Sequence, residues 1–149
     1  MGHRILILAA TTVGLLAAPP TAAIEPPTVA RLVEPSMVQI IVEGPVRTVS
    51  ASGFVVSKQG HIATAYHVVA PHIEGGWNLF VVESGATLEA RRAATVVQAY
   101  PAEDLAVLKV ENLDRPAAPL GESGTDTLTK GMTVFAIGYP GVGDRKSVV

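Results

Sequence analysis

The 149-residue chain contains no cysteine. This excludes a disulfide framework, a thiolate zinc site, a cysteine nucleophile and lipid attachment through sulfur. Aromatic residues are scarce, at 5%, with a single tryptophan. Charge is scarce too, at 16%, and Lys plus Arg (11) nearly balances Asp plus Glu (13) for a formal net charge of -2. A chain without a basic excess has no electrostatic footprint for nucleic acid. No glycine loop of the Walker or dinucleotide type occurs, so nothing is built to cradle a phosphate. No heptad pattern is sustained and no internal repeat is visible. What remains is 48% hydrophobic residues, enough for one packed domain and too many for a disordered chain.

The N-terminus reads as an address. Met1-Gly2-His3-Arg4 is a short positive start, and Ile5 to Ala18 is an uncharged, mostly apolar run of 14 residues. Small residues close it at Thr21-Ala22-Ala23. Basic start, apolar middle and small-residue end form a secretory signal, and the run is shorter than the ~20 residues a spanning helix needs. The expectation is a signal peptide over 1–23, no stable membrane anchor, and export to a periplasmic or extracellular home. Residues 24–36, with Pro26, Pro27 and Pro35, read as a linker holding one helical turn or two between Thr28 and Glu34.

After Pro35 the pattern turns to strands. Met37 to Val42 is a β-branched run, and Gly44-Pro45 a turn. Gly53 to Ser57 and His61 to Ala65 form a hairpin across Lys58-Gln59-Gly60. Asn78 to Glu83 is a strand, and Thr87 to Tyr100 reads as two strand-like pieces. Leu105 to Val110 follows, then a Pro- and Gly-marked connection, then a last strand over Met132 to Ile137. Short strands punctuated by Gly and Pro indicate an all-β barrel or sandwich.

Three histidines lie in the mature chain, His61, His67 and His72. Strand and turn spacing does not put all three on one face, and no acidic fourth ligand stands at a metal spacing, so no metal is expected. His67 sits in Thr64-Ala65-Tyr66-His67-Val68-Val69, and Asp104 opens Asp104-Leu105-Ala106-Val107-Leu108-Lys109. By spacing alone, the leading readings are a satisfied core histidine for His67 and a solvated strand end for Asp104.

The order of motifs adds a resemblance. Ser52-Gly53-Phe54-Val55-Val56-Ser57 with Gly60, then the His67 run, then Glu103-Asp104-Leu105-Ala106-Val107-Leu108-Lys109, resemble the trypsin-like serine endopeptidases of the bacterial HtrA/Deg type. Pro119 to Ser123 and Gly131 to Gly141 are similar to that family's crossing into its second barrel. Ala51 departs from the Gly that often stands there in the family. The resemblance implies an all-β, trypsin-like double β-barrel over 37–149. The first barrel is nearly complete at about 37–115, and the second is truncated after starting at about 131–149. It implies His67 as general base and acid, Asp104 as the carboxylate that orients it, and no metal or organic cofactor. Its substrates are polypeptides, unfolded exported proteins above all. A homo-oligomer is left open, with no support in the sequence.

The family nucleophile is a serine in a Gly-x-Ser-Gly-Gly loop. The serines here are Ser36, Ser50, Ser52, Ser57, Ser84, Ser123 and Ser147, none in such a loop. The 149-residue chain alone is therefore expected to be inactive, an N-terminal fragment of a serine endopeptidase. The alternatives are a non-catalytic truncated relative acting as a binding or interaction domain, and an unrelated β-sandwich module.

Overall fold

A β-branched run needs neighbours for its backbone donors and acceptors. The computed structural model describes residues 26–121, 129–139 and 147–148, and there most such runs find those neighbours. Helix α1 (Pro26–Val33) leads into strand β1 (Met37–Glu43). Strands β2 (Thr48–Val55) and β3 (His61–Thr64) precede helix α2 (Tyr66–Gly75). Strands β4 (Asn78–Glu83), β5 (Arg92–Ala93), β6 (Thr95–Tyr100) and β7 (Leu105–Lys109) follow. Two short strands, β8 (Ile137–Gly138) and β9 (Ser147–Val148), pair with each other.

The first seven strands form one antiparallel sheet in the order β5-β4-β1-β2-β3-β7-β6. Its two edge strands are consecutive in the chain, with only Ala94 between them. The Ala94 N–H donates to the Leu79 carbonyl at 3.1 Å. One bent stretch of chain thus pairs with β4 through its first half and with β7 through its second. That bend curls the sheet into a barrel and removes the open edges a flat sheet would expose.

Side chains alternate along a strand, so every second residue faces the barrel interior. Val38, Ile40 and Val42 of β1, Val55 of β2, Ile62 of β3, Leu79 and Val81 of β4, and Ala106 and Leu108 of β7 make up the core, closed by Val68 and Val69 of α2. Met37, Ile41 and Val82 are buried too, but their parity puts them on the outer face. The β2–β3 turn needs its glycine. Gly60 has φ +82, its N–H donates to the Ser57 carbonyl at 3.1 Å, and its own carbonyl accepts the Val110 N–H at 3.0 Å.

Two sequence expectations change, and the structure adds a helix. The strand expected over Met132 to Ile137 is confined to Ile137–Gly138. Among the described residues 132–136 pair with no strand, and Val134 is 73% exposed; strand propensity without a partner ladder makes no strand. Strand β2 starts at Thr48, not Gly53, because β1 supplies partners for the whole run down to Glu43↔Thr48. The stretch around His67 is helical. Val68, Val69, Pro71 and Gly75 all weaken a helix, so tertiary contacts decide the outcome there. The linker's helical turns materialise as the eight residues of α1. The expected signal peptide over 1–23 lies outside the described residues.

Candidate active site

Helix α2 begins without help from its own cap residue. Ala65 occupies the N-cap position and has no side-chain oxygen to satisfy the first free N–H groups. Asp104 supplies the missing acceptors from just before the neighbouring strand β7. Its backbone carbonyl accepts the Tyr66 N–H at 3.1 Å, and its carboxylate Oδ1 accepts the His67 N–H at 2.9 Å. A carboxylate at a helix N-terminus is also favoured by the helix dipole.

Asp104 can reach because of its backbone. It follows a short 3-10 turn, Pro101–Glu103, and has φ 50 and ψ 44, the left-handed conformation that Asp tolerates better than most residues. That conformation turns the chain into β7, whose Ala106 pairs with Thr64 at the end of β3. The residue before α2 and the residue before β7 therefore stand side by side.

The second carboxylate oxygen meets the imidazole. His67 Nδ1 lies 2.7 Å from Asp104 Oδ2. The N–H bonds from His67, backbone first and then ring, hold the Asp104 carboxyl below its ordinary value of 3.8, assisted by the Tyr66 N–H. An ionised carboxylate only accepts, so Nδ1 carries the hydrogen and the lone pair of Nε2 is left for a proton from elsewhere. The His67 side chain is 72% exposed and the Asp104 side chain 52%. The value of the contact is therefore geometric; charge attraction in water this accessible is small.

The other two histidines go elsewhere. His61 Nδ1 pairs with Ser57 Oγ at 2.7 Å, and His72 Nδ1 with the Trp77 carbonyl. Among the described residues no three metal-ligating side chains cluster, and no serine hydroxyl bonds to His67. A residue not singled out by sequence also enters here. Tyr66 OH donates to Glu74 Oε1 at 2.8 Å, across two turns of α2. Its signal was the Tyr-to-Glu spacing of eight, legible only once the stretch is known to be helical.

The chain is similar to known proteins. Residues 51–149 match the trypsin-like peptidase domain family. A probable periplasmic serine endoprotease, DegP-like, of Pseudomonas fulva (strain 12-X) is 42% identical over 89 residues, which are 60% of this chain and 17% of that protein. The chloroplastic protease Do-like 5 of Arabidopsis thaliana is 35% identical over 96 residues, 61% of this chain and 29% of the relative. This chain thus spans less than a third of either. The crystal structure of Deg5 superposes with a TM-score of 0.64 at 32% identity, covering 80% of this chain and 58% of that one. The barrel fold and a matched span of two thirds of the sequence agree: the chain belongs to the trypsin-like peptidase domain family, and the relatives it resembles are proteases of the DegP and Do-like kind.

Proposed function

We propose that this chain contributes the His–Asp half of a serine-type endopeptidase site acting on exported polypeptides. The observation that supports the reading is the 2.7 Å contact of His67 Nδ1 with Asp104 Oδ2, made by a carboxylate that also caps the helix bearing the histidine. In this reading Nε2 of His67 takes the proton of a serine hydroxyl as it attacks the peptide carbonyl, then returns it to the departing amine. Asp104 fixes the ring and stabilises the imidazolium. The chemistry needs no metal or organic cofactor. The signal over 1–23 directs the protein out of the cytoplasm, 24–36 leads into the domain, and the first barrel occupies about 37–115. Substrates are unfolded polypeptides, whose extended backbone a cleft between two barrels accepts.

No serine of the chain stands in a Gly-x-Ser-Gly-Gly run, so the 149 residues alone have no nucleophile for His67 to activate. The test is expression of the gene from start to stop codon, with casein as substrate. The expected result is turnover that His67→Ala abolishes and Asp104→Asn lowers by on the order of 10⁴. An inert product, or a rate that ignores His67→Ala, contradicts the proposal and leaves a polypeptide-binding domain.

A further inference from the structure

The outer face of β2 carries Ser50, Ser52 and Phe54, because Val49, Ala51 and Val55 of the same strand turn toward the core. On that face Ser52 is the point where the chain returns from the far side of the connection. The Tyr139 N–H donates to Ser52 Oγ at 2.6 Å. Gly138 lies so close above it that a Cβ built there would come within 2.9 Å of the same hydroxyl oxygen. The Ser52 backbone carbonyl is also engaged, accepting Thr64 Oγ1–H at 2.9 Å. Thr64 ends β3, three residues before His67, and pairs with Ala106, two residues after Asp104.

One residue therefore touches both the strand that delivers the histidine and the segment that crosses out of the first barrel. We propose that Ser52 is a positioning residue, the joint that registers Gly138-Tyr139, and whatever that segment carries, against the His67–Asp104 pair. The inference rests on reading the chain as a peptidase domain, where the second barrel must be held at a fixed offset from His67. It goes beyond that reading by naming the contact that sets the offset. The hydroxyl suits the task because it accepts from a backbone N–H without a charge to solvate. The glycine suits it because any side chain at 138 would lift the segment off the sheet.

The test is hydrogen exchange of backbone amides, read by NMR on the 149-residue protein. It needs no catalysis, so a negative casein assay and a failure here are distinguishable. In the wild type the Tyr139 amide is protected. Ser52→Ala is expected to speed its exchange by roughly tenfold, the size of one lost hydrogen bond, and Ser52→Thr to restore protection. The amides of Ile40, Ile62 and Leu108 should not change in either variant. Gly138→Ala repeats the test from the other side of the contact without touching the barrel, and should speed Tyr139 exchange likewise. Tyr139 exchange unchanged in Ser52→Ala and in Gly138→Ala overturns the proposal. So does failure of Ser52→Thr to restore what Ser52→Ala loses.

Discussion

Asp104 carries two tasks with one carboxylate: Oδ1 holds the backbone of α2 and Oδ2 holds the imidazole. The two tasks separate by mutation. Asp104→Asn keeps an oxygen able to cap the helix, so the fold survives, but its amide N–H donates to Nδ1 and forces the ring hydrogen onto Nε2, the wrong tautomer. Asp104→Ala loses both, and its melting temperature should fall below that of Asp104→Asn in parallel thermal scans. The pH response has a fixed sign. Asp104 is held below 3.8 when folded, so its contribution is present above the unfolded value and is lost as pH falls through the folded one. Protection of the His67 amide should therefore be lost only as acid titrates the lowered Asp104 carboxyl in the wild type, below the ordinary carboxyl value of 3.8, and that acid transition should be absent in Asp104→Ala. At this scale the sequence was legible in identity only. His67 and Asp104 stood out by family motif, 37 residues apart. That Asp104 caps a helix was hidden, because neither the helix nor the left-handed conformation of Asp104 leaves a mark in local composition.

Among the elements, those whose residues agree with their structure were readable. Strands β1, β4 and β7 combine β-branched residues with turn signals at both ends, and they form where that pattern puts them. Helix α2 conflicts with its own sequence. Pro71 has no N–H, so the His67 carbonyl lacks its helical partner, and the β-branched Val68 and Val69 add nothing to propensity. Burial of those two valines, the Asp104 cap and the Tyr66–Glu74 bond hold it instead. Segment 132–136 is the opposite case, strand-like residues without a partner strand among the described residues. Strand β3 is short, and its centre is wholly buried. Ile62→Ala should cost about 2–5 kcal/mol in urea unfolding, because the cavity opens beside Ile40 and Leu108 in the middle of the barrel. A loss below about 0.5 kcal/mol would mean that the barrel interior is not packed as described.

For the whole molecule, the core is contained in a short span. Its cluster runs from Val38 to Leu113, and the Ala118 N–H ties the following segment to the Val55 carbonyl at 2.7 Å. A chain of residues 24–121 should therefore fold by itself and unfold cooperatively in urea, with a midpoint near that of the 149-residue protein. Failure of that shorter chain to fold would place essential contacts after residue 121. The barrel architecture follows from the same economy of chain: β5 and β6, flanking Ala94, serve as both edges of one sheet. Sequence patterning announced an all-β fold, yet the closure depends on a bend at one buried alanine that no pattern marks. The site sits on the rim of that barrel, open to solvent, where a partner surface can approach the free nitrogen of His67.

The direct measurement is the tautomer of His67, read from its ring nitrogen shifts at neutral pH in the wild type and in Asp104→Ala. The account predicts the proton on Nδ1 in the wild type, bonded to Asp104, and a shift away from that form when the carboxylate is removed. A wild-type ring protonated on Nε2, or shifts that Asp104→Ala leaves where they were, would contradict it.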